Sequence, residues 1–188
     1  GMPAEELLDM SDKWVLSELA RTAAEVTANL DKYELGLAAE KVENFIWDIY
    51  CDWYIEICKS RLNGEDAQQA DTARKVLVWV LDKALKLLHP FMPFITEEIY
   101  QALPGSAETI MTQEWPDAGK MTAWPQECAD FEVLMDYIKA VRTIRNDMNV
   151  HPAKKTSMTI ETANPAAFQK GGAYLARFAF ATDVALTE

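Results

Sequence analysis

Histidine is almost missing from this chain: 188 residues hold only His89 and His151. A di-metal centre in a helical bundle needs Glu-x-x-His pairs, which set two ligands on one helix face. Lys86 and Met148 stand three residues ahead of the two histidines, so that motif does not occur. Cysteine is equally sparse, at Cys51, Cys58 and Cys128. An odd, scattered set argues against a disulfide framework or a zinc site and fits a reducing cytoplasm. Seven glycines form neither a G-x-x-x-x-G-K-[ST] phosphate loop nor a G-x-S-x-G elbow. No apolar run approaches the ~20 residues that span a bilayer, so no membrane partner is expected. The opening GMPAEELLDMS is acidic and too weakly apolar for a signal peptide, and Gly1 ahead of Met2 reads as a remnant of tag cleavage.

Positive charge is the other scarcity. Lysine and arginine number 18 against 30 aspartates and glutamates, a net of −12. Bulk attraction to phosphate is therefore excluded, and any nucleic-acid contact must be local and shaped. The imbalance is uneven. Residues 1–115 hold 10 basic against 21 acidic side chains, whereas residues 116–188 hold 8 against 9. Lys139, Arg142, Arg145, Lys154 and Lys155 make a basic run in the second part.

What is plentiful is apolar residues at helical spacing. About half the chain is apolar, enough for a real core. The spacing of Val15, Leu19, Ala23, Val26 and Leu30 predicts a helix from an N-cap at Ser11 to about Asp31. A second helix is predicted over Glu34–Lys59, with Ala38, Val42, Phe45, Ile46, Ile49, Trp53 and Ile57 inward. Asn63-Gly64 marks a turn. A third follows over Asp66–Leu88, its face wide enough to pack on two neighbours.

The stretch LLHPFMPFITEEIY, Leu87 to Tyr100, breaks this pattern. Pro90 ends one helix, and Pro93 suits the first turn of the next, where a missing amide donor costs nothing. Phe91, Met92, Phe94 and Ile95 are expected to plug the end of the core, with His89 bonded to a nearby carbonyl. The new helix runs to about Leu103, and Thr109–Thr112 reads as a short extended segment. A linker is placed at 116–126. Beyond it a helix is predicted over Asp130–Met148, then strands at Thr156–Thr162 and Asp183–Thr187 around a helix that Asn164-Pro165 opens and that ends near Phe180. The fold class is mainly α: a bundle of four to five helices over 12–115, after a short segment 1–11, followed by a small β-α-β module over 127–188.

No nucleophile–base set emerges, and most of the acids read as solvated helix faces. The densest chemical feature is WDIYCDWY, Trp47 to Tyr54. Aromatic rings on a helix can stack unpaired bases, but Trp53 falls on the core stripe, and packing is the commoner use. Asp48 and Asp52 share a face and repel, which Arg21 or Arg61 could relieve.

Three segments resemble the valyl-tRNA synthetase family: FIWDIYCDWYIEICKSRL (Phe45–Leu62), HPFMPFITEEIY (His89–Tyr100) and IKAVRTIRNDMNVHPAKK (Ile138–Lys155). Lys13–Ser17 and the I-M-x-x-x-W-P segment at Ile110–Pro116 match in order and spacing. The resemblance implies that 12–115 form the helical anticodon-binding domain and that 127–188 form the α/β module after it. It implies a valine-accepting tRNA as partner, with the catalytic domain of the same polypeptide as the other. That domain's two ATP signatures and the editing domain are absent here. No catalytic activity, catalytic residue, metal or cofactor is expected of this chain, while the whole enzyme would use ATP and Mg. Contacts to tRNA are expected at Lys13, Trp14, Ser17 and Arg21, which lie within about two turns on one side of the first helix. Arg142, Arg145 and Lys154 are expected on the RNA backbone. The competing expectation is a helical scaffold that has lost RNA contact, which burial of Arg21 against Asp48 or Asp52 would favour.

Overall fold

Asp9, rather than Ser11, caps the first helix. Its carboxylate accepts from the Asp12 amide while Asp12 accepts from the Asp9 amide, a reciprocal capping box. Ser11 instead donates its hydroxyl to Asp9. A computed structural model describes residues 1–151, 153–162 and 165–187. The chain divides into two compact units, Gly1–Trp124 and Pro125–Glu188.

The first unit is the helical bundle. Helix α1 spans Met10–Asp31 and buries Val15, Leu19, Ala23 and Val26, the stripe that the spacing predicted. Tyr33, at φ 60, turns the chain into α2, Leu35–Asn44. The expected second helix is one continuous rod but not one helix type. Over Phe45–Ile55 the winding widens to i→i+5, a π-helix, before α3 resumes at Glu56–Leu62. Most π-helical stretches are a single turn, and this one is 11 residues long. The wider winding shifts the inward set to Phe45, Tyr50 and Tyr54, spaced five and then four residues apart. Ile46, Ile49 and Trp53, expected inside on a 3.6-residue period, are only half-buried. Tyr50 donates its hydroxyl to the Leu77 carbonyl at 3.0 Å, tying the π segment to the next helix.

That helix, α4, spans Ala67–Leu88 and is capped by Asp66, whose carboxylate accepts from the amides of Gln68 and Gln69. It ends at the proline corner, and α5 runs from Pro93 to Gln101 with proline in its first turn, as the sequence predicts. The corner does not plug the core. Met92 is 52% exposed, Phe94 91% and Ile95 47%. Helix α5 turns Thr96 and Tyr100 inward, four residues apart, and this leaves Phe94 and Ile95 on the outer face. The core there is closed by Leu85, Tyr100 and Ile110. His89 meets the Thr96 hydroxyl through Nδ1 at 2.7 Å rather than a carbonyl, and that hydroxyl donates to the Met92 carbonyl. Residues Ile110–Thr112 form a 3-10 turn, not a strand, because the Thr109 side chain caps the Met111 amide. A second such turn, Ala118–Lys120, packs on α1.

The second unit opens with α6, which starts at Pro125 and runs to Asp147. Strands β1 (Thr156–Glu161) and β2 (Ala181–Thr187) pair in parallel, with Thr159 opposite Ala185 and Ile160 opposite Leu186. The helical crossover expected to run unbroken divides into α7 (Pro165–Lys170) and α8 (Gly172–Phe178). Gly171 lies between them, where a Cβ would force the buried Leu134 side chain to shift. The expected cap Asn164 lies outside the described residues. Two strands alone are marginal. Here Phe131 packs edge-on to Tyr174, and Tyr137 to Phe168, which joins α6 to the crossover.

Candidate nucleic-acid interface

The sequence-predicted RNA contacts on α1 start from a rigid base. Asp12 is fully buried, and Arg61 of α3 grips it with two bonds, Nη1 to Oδ1 at 2.6 Å and Nη2 to Oδ2 at 2.9 Å. Tyr54 donates its hydroxyl to the same carboxylate at 2.6 Å, and Asp9 lies 3.0 Å from Arg61 Nη1. Burial pushes the Asp12 carboxyl up and neighbouring Asp9 adds to this, while Arg61 and Tyr54 pull it back. The pair fixes the first turn of α1 against the rod, so the side chains that follow are held in place.

Those side chains divide sharply. Arg21 is open, its side chain 60% exposed, and it pairs with Glu18 one turn earlier. It does not reach Asp48 or Asp52. Both of those acids are exposed, and neither makes an ion pair among the described residues. Lys13 is half-buried, with Nζ 5.8 Å from the centre of the Trp124 ring. Ser17 is buried. Its hydroxyl donates to the Lys13 carbonyl and accepts from the Trp124 amide at 2.8 Å. Trp14 is 2% exposed, so its ring offers no face for stacking. Trp124 thus gathers Lys13 and Ser17 and is itself fixed by a bond from Nε1 to Glu5. Trp124 falls inside the expected linker 116–126, with no role assigned to it. A tryptophan between two segments is a signal of packing that the spacing alone does not locate.

In the second unit both arginines make internal bonds. Arg142 donates Nε to the Phe178 carbonyl at 2.9 Å. Arg145 reaches the carbonyls of Lys154 and His151 and lies over the Phe180 ring, so it braces the turn that leads into β1. Lys154 is exposed, as is His151. The π segment turns Trp47 outward, 61% exposed, and leaves Trp53 half-buried. Among the predicted contacts, the exposed residues are Arg21 in the first unit and Arg142 and Lys154 in the second. Exposed cations and rings suit local discrimination of unpaired bases better than bulk phosphate attraction.

Comparison with known proteins identifies the family. Residues 12–160 match the family model described as the anticodon-binding domain of tRNA ligase. The valine–tRNA ligase of Bacillus licheniformis is 44% identical over 170 residues, covering 88% of this chain and 19% of that protein. The Geobacillus stearothermophilus valine–tRNA ligase is 43% identical over 187 residues, covering 95% and 21%. That of Carboxydothermus hydrogenoformans is 46% identical over 164 residues, covering 87% and 18%. The chain therefore spans about a fifth of the length of the curated relatives it matches. By the extent of the family match and the level of identity, this chain belongs to the anticodon-binding domains of tRNA ligases.

Proposed function

We propose that this chain is the anticodon-reading part of a valine–tRNA ligase, and that it docks the anticodon loop of a valine-accepting tRNA. The family match over residues 12–160 carries the reading. The name shared by the relatives supports valine as the amino acid. Within such an enzyme the remaining polypeptide would activate valine with ATP and Mg. The chain's own share is recognition, in the cytoplasm, in concert with that catalytic domain. No helix among the described residues is long and apolar enough to cross a membrane.

Arg21 is the proposed direct contact on α1, because it is exposed and sits on a helix whose start is clamped. Lys13 contributes its ammonium from beside Trp124, while Trp14 and Ser17 hold the backbone that presents both. Lys154 is the proposed phosphate contact in the second unit, with Arg145 bracing its loop. Arg142 acts there through the Phe178 carbonyl. Arg21→Ala tests the assignment by filter binding to valine tRNA across a salt series. Loss of one phosphate contact lowers the salt slope by about 1. Loss of base readout instead narrows the gap between the native and a changed anticodon.

A second reading, a helical scaffold without RNA contact, draws on the net charge of −12 and on the internal bonds of Arg142 and Arg145. Absence of any salt-sensitive tRNA binding would favour it.

A further inference from the structure

Residues 113–121 pass over α4 and leave a cleft of about 320 Å³ within the first unit. Its size falls at the small end of ligand clefts. Helix α4 supplies Trp79, Lys83 and Lys86, which fall on one face at i, i+4 and i+7. The covering loop supplies Trp115 and Lys120. Trp79, Lys120 and Met121 also line a second cavity of about 220 Å³ beside Trp124.

The charges are arranged, not scattered. Asp82 lies 3.0 Å from both Lys83 Nζ and Lys86 Nζ. One carboxylate against two ammoniums leaves a positive charge on the α4 wall, more accessible at Lys83, 25% exposed, than at Lys86, 10% exposed and over the Tyr100 ring. Lys83 sits 5.6 Å over the Trp79 ring, which occupies that face. Trp115 is the ring left for a ligand. It is 37% exposed and is fixed by a bond from Nε1 to the Thr27 hydroxyl at 2.9 Å. Lys120 is 77% exposed on the loop wall, 3.7 Å from Asp117. Glu114 and Asp117 on the same rim repel a polyanion but can accept from an amino group on a ring. A flat ring, one phosphate and an exocyclic amine together describe a single nucleotide.

We propose that this cleft binds one unpaired nucleotide, with its base on Trp115 and its phosphate among Lys83 and Lys86 of α4 and Lys120 of the loop. A free nucleoside monophosphate and a nucleotide of single-stranded RNA share this chemistry. The proposal does not rest on the anticodon reading, because neither Arg21 nor Lys13 lines the cleft.

The test is an NMR titration of the whole chain that follows its six tryptophan indole N–H signals, assigned with single Trp→Phe variants. Adenosine 5′-monophosphate is the probe. It is expected to move the Trp79 and Trp115 signals and to leave that of Trp47 in place. Lys83→Gln and Lys120→Gln are each expected to weaken binding several-fold, and Trp115→Leu about tenfold or more. Lys120 is open to solvent, so its variant reports binding without risk to the fold. Adenosine alone and inorganic phosphate alone should each bind much more weakly. Displacement of the monophosphate by a single-stranded RNA hexamer would make RNA the source, and failure to displace it would make free nucleotide the source. Unmoved Trp79 and Trp115 signals, phosphate binding as tight as the monophosphate, or unchanged affinity in both lysine variants would each overturn the proposal. Arg21→Ala should leave the titration unaltered, so failure of the anticodon reading and failure of this one are separable.

Discussion

Arg61 and Asp12 meet with side chains 9% and 0% exposed, so neither charge can lose its partner cheaply. Arg61→Ala strands a buried carboxylate and is expected to cost about 3–5 kcal/mol in urea unfolding. Removing both charges, as Asp12→Leu with Arg61→Met, is expected to cost less than the single change. A double variant worse than the single one would contradict that account. Cys58 is the companion case. Burial pushes its thiol up to about 12, so it stays protonated and inert at neutral pH. Alkylation of the native chain should therefore spare Cys58, which mass spectrometry of the labelled peptides would check. Glu97 titrates in the other direction. Desolvation raises it, but bonds from Thr109, Gln101 and the Ile110 amide together outweigh that, and the net shift is downward. A lowered folded-state pKa adds stability above the unfolded value near 4.5 and loses it as pH falls through the folded one. Glu97→Gln should therefore flatten the acid side of a melting-temperature profile and leave its alkaline side unchanged.

Elements were legible in the sequence wherever one period ran from end to end. The Val15–Val26 stripe, the Pro93 restart and the parallel strand pair all stand where spacing and capping chemistry put them. Two places were not legible. No sequence period announces a π-helix, so Tyr50 and Tyr54 replace Trp53 as the inward rings. The corner misled because apolar content shows what gains by burial, not which face turns inward; Thr96, capping His89, and Tyr100 take that face. At the candidate site the sequence placed Arg21 on an exposed face, but Trp14 is buried, and no local pattern revealed that Trp124 would cover Ser17. The corner gives a clean comparison. Phe94→Ser should leave thermal stability nearly unchanged, whereas Tyr100→Ala should cost about 3–5 kcal/mol. Equal losses would restore the plug.

At the scale of the molecule, the charge sets the terms. A chain of net −12 gains little from phosphate attraction, so under the proposed reading its affinity for tRNA rests on a few placed contacts. Met92, Phe94 and Ile95 stand exposed at the corner, and the chain spans about a fifth of the length of the relatives it matches. The central claim is that base readout resides in these residues. It is tested most directly by measuring, at low salt, the binding of this chain to valine tRNA and to the same tRNA with its middle anticodon base changed. The account predicts tighter binding to the native anticodon, with the difference reduced in Arg21→Ala. Equal, weak and salt-sensitive binding to both tRNAs would contradict it.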